Sequence, residues 1–464
     1  MPARAGAWIA PLLFLVSVAA LGFGAGVAVM MFRLFPYPWI QEAKLAFDAL
    51  GLLEDETLMP ALNRVDAAAP AAPRIAALSP RAGTEALLVT GGPGQHMDLC
   101  PRFGCLAWIV DRQGRVLHTW EVDWAALAGD MAGFSGNAGP QSLYPVGLAL
   151  LSGGELAVTL HGRNIFPYQV GIARISAAGE VLWVTRDHAH HWIDADAAGN
   201  IYAPSMRPVS PPPPRFDGTL VELRCRAGTV YAEGVTVYGP DGTVLRSFDI
   251  LRSLAEAGWP GLLYGLRDGC DPAHLNAVAV AGPAIAARLP GIAAGDLLVS
   301  VREPSAIAIL DGETGAVKRL TAGRTAAQHG PQFLPDGTVV AFDNQGGDPA
   351  TGGSRILRLD MVTGAVETVF PRRADDPALP FVSVDGGHVE VSPDGTRIMI
   401  SSKDQARSLE VEVATGEVLW TMDKCFDIGP WLALAGAEAE AERACFNDYG
   451  AAYLTAADLA FLGD

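Results

Sequence analysis

The residues best placed to do polar chemistry in this 464-residue chain are histidines lying beside turns instead of within alternating strands. His188, His190 and His191 occur in "RDHAHHWIDADAAGNIYAP", and His274 occurs in "GCDPAHLNAVAV" with Asn276 two positions on. Arg302 ends the strand-like run "GDLLVSVREPSAI", and His329 sits in "AAQHGPQFLPDG". Near neutral pH an imidazole can serve as nucleophile, base or acid. A guanidinium offers a fixed fork of donors to the oxygens of a phosphate or sulfate, and an amide such as Asn276 can orient either partner. Taken singly, each histidine reads as a structural residue. Their recurrence beside Asn, Gln or Arg in successive segments points to one shared anion pocket. His188, His190 and His191 with Asp194 or Asp196 also offer metal ligands, but an HxHH run without a defined register is weak evidence for convergence. His388 reads as the partner of a local hydrogen bond, and His96, His118 and His161 receive no catalytic role.

Residues so far apart in sequence need a scaffold that gathers them, and the repeats supply one. "CLAWIVDRQGRVLHTW" (Cys105–Trp120) reads as strand, turn, strand. The same grammar returns in "VGIARISAAGEVLW", "GVTVYGPDGTVLRSF", "SAIAILDGETGAVKRL", "SRILRLDMVTGAVETVF" and "RSLEVEVATGEVLW". The turn glycines Gly114, Gly179, Gly242, Gly315, Gly364 and Gly416 fall roughly 50 to 70 residues apart, about one propeller blade of four short strands each. A second turn class appears in "ADAAGNIYA", "LPDGTVVAF" and "SPDGTRIMI". The expected fold is all-β: a six-bladed β-propeller with an N-terminal transmembrane helix. "SPPPPR" at 210–215 should be a stiff exposed insertion, and "DILRSLAEAGWPGLLYGL" at 249–266 a short helical one.

The expected helix comes from Ala5 to Phe32, which carries no charged residue and is long enough to cross a ~30 Å hydrocarbon layer. A signal peptide cleaved near Ser17–Ala19 is the competing reading, but apolar sequence runs on through Met31. The organisation expected is a membrane anchor over 1–33, a juxtamembrane helix and Pro/Ala-rich linker over 34–86, and a β-propeller with a C-terminal extension over 87–464. This implies a bacterial inner-membrane, single-pass protein with its main domain facing the periplasm. In such an oxidising compartment Cys100–Cys105, Cys425–Cys445 and, less strongly, Cys225–Cys270 can pair, with buried free thiols as the alternative. The net charge of −18 argues against nucleic acid as a partner. There is no G-x-S-x-G elbow, no H-E-x-x-H and no P-loop, and "GGPG" at 91–94 is wrongly spaced for a nucleotide. No cofactor is expected.

The order of these pieces resembles the PAPS-independent arylsulfotransferase family, over roughly residues 105–425. The resemblance is carried by "DHAHHWIDADAAGNIYAP", "DPAHLNAVAV", "LLVSVREPSAIAILDGETG" and "QHGPQFLPDGTVVAFDNQGG". It implies a six-bladed propeller in which His329 accepts the sulfuryl group, His274 and Asn276 form the His-x-Asn pair, and Arg302 binds the anion. The family's earlier histidine falls on His191, or on His190 if the alignment shifts by one. The implied catalytic set is His329, His274, His191 and Arg302, with Asn276 and His190 binding substrate. The implied partners are a small aryl sulfate and a phenolic or hydroxyl acceptor. Gly330 would then either leave room for a planar substrate or serve a turn. The chain lacks the substantial N-terminal β-rich domain common in that family. Competing readings are a non-enzymatic propeller receptor or assembly scaffold and, behind it, a metal- or quinone-dependent oxidoreductase. Oligomeric state is not legible.

Overall fold

Continuous apolar runs such as Leu297–Val301 and Ala306–Leu310 are buried at every position, whereas Val317–Ala322 beside them is only half-buried. Strands that lack polar alternation must be covered on both faces, and stacking sheets around an axis covers them. The computed structural model describes residues 9–32, 34–36, 64–65, 75–129, 142–163, 168–185, 187–209, 229–266, 270–376, 378–434 and 443–463, plus a few single positions between 210 and 228. The chain divides into two units, residues 1–60 and 61–464.

The second unit is the six-bladed propeller, each blade an antiparallel meander. Blade 2 contains Leu143–Leu150, Leu156–Gly162, Gln169–Ile175 and Val181–Val184. Blade 3 contains Asp194–Ala195, Ile201–Val209, Val230–Tyr238 and Val244–Asp249. Blade 4 contains Leu275–Val280, Leu297–Val301, Ala306–Leu310 and Val317–Ala322. Blade 5 contains His329–Phe333, Val339–Asp343, Arg355–Leu359 and Val366–Phe370. Blade 6 contains His388–Val391, Arg397–Ser402, Arg407–Glu412 and Val418–Asp423, with Ile75–Ala77 added as a fifth, outermost strand.

Blade 1 closes the ring. Ala86–Thr90, Cys105–Val110 and Val116–Glu121 come from the start of the domain, but the innermost strand, Ala451–Leu454, comes from its end. It pairs with Ala451 opposite Val89 and Leu454 opposite Ala86. Residues read as a C-terminal extension thus supply a blade's central strand. A ring closed this way leaves no edge between its first and last blades.

The six turn glycines all lie between the third and fourth strands, counted outward from the axis, with φ from 71° to 88°, a region that a Cβ penalises. Apolar clusters fill the spaces between neighbouring blades, as where Leu297, Val299 and Ala308 meet Val235 and Val237, or Val340 and Phe342 meet Val389 and Ile400.

All three disulfides expected are present: Cys100–Cys105, Cys225–Cys270 and Cys425–Cys445. The last joins facing residues of a small sheet formed by Arg64–Val65, Arg443–Phe446 and Cys425–Asp427. The helical insertion appears as Ile250–Glu256, capped by Asp249, and Pro260–Tyr264. The Pro-rich insertion, apart from Arg215, and the juxtamembrane helix lie outside the described residues.

In the first unit one helix runs Ile9–Phe32, and side chains such as Leu13, Phe14, Leu21 and Phe23 are exposed. Among the described residues no helix is long and apolar enough to cross a membrane, so the expected transmembrane anchor is not confirmed.

Candidate active site

In a four-stranded meander the innermost strand starts, and the second strand ends, on the same side of the ring. Side chains at those two points in successive blades therefore face one mouth of the channel. His191, His274, His329 and His388 occupy the start of the innermost strand in blades 3, 4, 5 and 6. Arg302, Asn344 and Lys403 directly follow the second strand in blades 4, 5 and 6. The turn glycines lie at the opposite side.

A cavity of about 430 Å³ opens at this mouth. His191, His274, Arg302 and His329 all line it, together with His161, Tyr144, Tyr168, Trp192, Lys403 and Tyr449. One nitrogen from each of His191, His274 and His329 lies within 4.8 Å of the others. Among the described residues this is the one grouping whose spacing a metal could use. Arg302 and Lys403 bring fixed positive charge to the same space, and the carboxylates of Asp271, Glu303 and Asp385 line it as well. His191 and His274 hold φ of 55° and 46°, a left-handed conformation that is costly outside glycine and often found at functional sites.

His329 is the most constrained of the set. Its Nδ1 lies 3.0 Å from the Ala327 carbonyl and 2.8 Å from Asn344 Oδ1. Asn344 cannot turn its amide, because its Nδ2 donates to the carbonyls of Ser383 (2.8 Å) and Gly386 (2.6 Å). Both groups facing Nδ1 are therefore acceptors, the proton resides on Nδ1, and Nε2 is left with its lone pair. Burial lowers the His329 pKa to about 3, with His274 and Arg302 pushing the same way and Asn344 opposing. The ring is neutral near pH 7.

His274 Nδ1 is 2.8 Å from Asp271 Oδ2, and its Nε2 is 3.2 Å from the Tyr168 hydroxyl. His191 Nδ1 lies 2.6 Å from His190 Nδ1, and burial first, then His161 and His190, hold the His191 pKa well below the usual range. Arg302 NH1 donates to Glu303 at 2.6 Å, while its buried Nε has no hydrogen-bond partner among the described residues. Two aromatic pairs flank the cavity: Tyr144 stacks on Tyr449 at 5.3 Å, and Trp192 on His388 at 3.6 Å.

Two residues expected to touch substrate stand behind the wall. His190 is fully buried, with Nε2 3.4 Å from Glu233. Asn276 is fully buried and donates to the Gln328 carbonyl at 2.7 Å, bracing the segment that carries His329. Gly330 makes no room for substrate, since a Cβ there would meet His388 Nδ1 at 2.6 Å. His388 bonds Glu390 at 3.1 Å, as its local reading anticipates.

The sequence reading passed over Asp271, Tyr168, Asn344, Lys403 and His161. Asn344 and Lys403 were findable, because they hold the register position of Arg302 in the next two blades. Asp271 stands three residues before His274. Tyr168 has no local signal.

A family model described as arylsulfotransferase (ASST) matches residues 264–424, the stretch that holds His274, Asn276, Arg302, His329 and Asn344. No curated protein matches the chain. Similar solved structures include virginiamycin B lyase from Staphylococcus aureus, 11% identical over 60% of this chain and 69% of that one, with a TM-score of 0.35. TolB from Acinetobacter baumannii is 11% identical over 80% of this chain and 66% of that one, with a TM-score of 0.41.

Proposed function

From the match of residues 264–424 to the arylsulfotransferase family model, we propose that this protein belongs to that family and transfers a sulfuryl group from an aryl sulfate to a phenolic or hydroxyl acceptor. The transfer passes through a sulfohistidine on His329. The observation that carries the reading is the state of that ring: neutral, with Nδ1–H held by Asn344 and Ala327 and Nε2 unengaged among the described residues. A histidine so fixed is a nucleophile that needs no deprotonation.

In the first half-reaction His329 Nε2 attacks sulfur. The aryl oxygen leaves with the electron pair of the S–O bond and takes a proton from the Nε2 of a His274 that enters this half-reaction as the imidazolium, its Nδ1–H held by Asp271. In the second, the acceptor hydroxyl gives its proton to His274, its oxygen attacks sulfur, and His329 Nε2 leaves with the N–S pair. Asp271, accepting from His274 Nδ1–H, offsets the charge while Nε2 is protonated. Arg302 bears on the sulfuryl oxygens, where a fixed donor acts most strongly out of water. The aromatic pairs suit a planar aryl group.

We also place the propeller on the periplasmic face of a bacterial inner membrane, held by the Ile9–Phe32 helix as a single pass. Three disulfides favour an oxidising compartment. Extraction of membranes with and without detergent tests this, since full release without detergent would contradict an anchor.

The activity test is a chromogenic aryl sulfate supplied with and without a phenolic acceptor. Acceptor-dependent phenol release that disappears in His329→Ala, with the fold retained, is the expected result. Equal turnover in the variant would reject the nucleophile.

A further inference from the structure

Two carboxyl groups meet at the cavity, one of them, Asp271, in its lining. Glu233 comes from the third strand of blade 3 and is fully buried; Asp271 precedes the innermost strand of blade 4 and is nearly so. Each has one oxygen satisfied: Glu233 Oε2 accepts from the Leu275 N–H, and Asp271 Oδ2 faces His274 Nδ1 at 2.8 Å. The two groups lie within hydrogen-bonding reach of each other. Yet Glu233 Oε1 and Asp271 Oδ1 have no donor among the described residues, and neither does His190 Nε2 have a partner, 3.4 Å from Glu233 Oε1. Two ionised carboxylates are acceptors only and cannot satisfy one another. Buried side by side, they would also repel strongly.

We infer that Glu233 and Asp271 share one proton, and that this pair sets the tautomers of His274, His190 and His191. The Glu233 hydroxyl donates to Asp271 Oδ1, which leaves Asp271 ionised and accepting from His274 Nδ1–H. Glu233 Oε1 accepts from His190 Nε2–H, His190 Nδ1 then accepts from His191 Nδ1–H, and every group in the chain has a partner. His274 and His191 are thereby both left with Nε2 toward the cavity. Burial and the charge of Asp271 push Glu233 well above the usual carboxyl range. Asp271 moves down, to about 2: burial opposes the shift, but His274 and the bond from Glu233 outweigh it. The remaining charged neighbours are Glu303, which raises Glu233 further, and Arg302 beside it.

The catalytic meaning of this rests on the sulfuryl-transfer reading. A pair carrying one negative charge balances a protonated His274 without trapping its proton, whereas two charges would hold that proton in place. Glu233 and Asp271 are positioning residues, acting through His274.

The test uses the purified full chain in detergent and difference infrared spectroscopy at about pH 8, above the range in which buried Asp194, raised to about 6, keeps its own proton. Wild type should show a carboxylic-acid carbonyl band that Glu233→Gln removes. A wild type without that band, or a band surviving in the variant, overturns the proposal. Glu233→Gln keeps a donor toward Asp271, but its amide cannot also accept from His190 Nε2–H, so turnover should fall along with the loss of the band. Asp271→Asn should lower turnover on the order of 10²- to 10⁴-fold, the usual worth of a positioned acid–base group. The infrared result needs no turnover, so a chain with the band but no aryl-sulfate activity would sink the transfer reading and leave the shared proton standing.

Discussion

Replacing Asn344 with Asp changes one atom type and two consequences follow from the geometry. The new carboxylate still accepts from His329 Nδ1–H, but it no longer donates to the Ser383 and Gly386 carbonyls, which stand 2.8 and 2.6 Å from Nδ2. Each carbonyl keeps a second donor, Ser354 Oγ at 3.2 Å for Ser383 and Ser383 Oγ at 3.1 Å for Gly386, so the loss is that of two hydrogen bonds at about 0.5–1.5 kcal/mol each, about 1–3 kcal/mol of the ~5–15 kcal/mol that holds a typical domain together. The negative charge also favours imidazolium at His329. An opposite charge this close shifts a pKa by ~1–3 units, raising His329 from about 3 to roughly 4–6. The acid limb of kcat/KM for aryl-sulfate cleavage should therefore move upward by that amount, while activity at pH 8 falls far less than at pH 5. A pH–rate profile beside a thermal melt reads both effects. A variant with an unmoved acid limb and an unchanged Tm would refute the claim that Asn344 fixes the tautomer and charge of His329.

Arg302→Lys keeps the charge but loses the fork and the unpartnered Nε; kcat/KM should fall ~10²- to 10³-fold, checked by steady-state kinetics. Stability should also decline on acidification. His190 and His329 titrate at about 3 when folded, and His161 and His191 well below their ordinary value. The unfolded chain binds protons near pH 6.5 that the folded one refuses, so stability is full above ~6.5 and is lost as pH falls toward ~3. The slope is up to about 1.4 kcal/mol per pH unit for each histidine, and denaturant melts at stepped pH should show it. Gly450→Ala would drive a Cβ to 1.7 Å from Trp192 Cη2, with His388 stacked on the far side of that ring. It should cost about 1–3 kcal/mol, measured by urea unfolding.

The blades were readable because their outer hairpins need a glycine at positive φ: Gly114, Gly179, Gly242, Gly315, Gly364 and Gly416 mark all six. His191, His274, Arg302 and His329 were readable because they hold repeated register positions, and all four line one cavity. The ring closure was not, since Ala451–Leu454 looks like any short apolar run until its pairing with Ala86–Thr90 is known. Nor was the split between His191 in the wall and His190 behind it, because adjacent residues differ only through backbone geometry, here a φ of 55° at His191. The partners that tune the imidazoles, Glu233, Asp271 and Asn344, were hidden for a different reason. Each touches its histidine from another strand or loop, and a lone buried carboxyl or amide leaves no pattern in sequence.

The central claim is that His329 Nε2 takes the sulfuryl group. Mixing the protein with an aryl sulfate and no acceptor, quenching at alkaline pH and mapping peptides by mass spectrometry tests it directly. The account predicts one added SO₃ on the peptide carrying His329, discharged when phenol is added and missing in His329→Ala. Acceptor-dependent turnover with that peptide unmodified, or with the added mass on another residue, would contradict it.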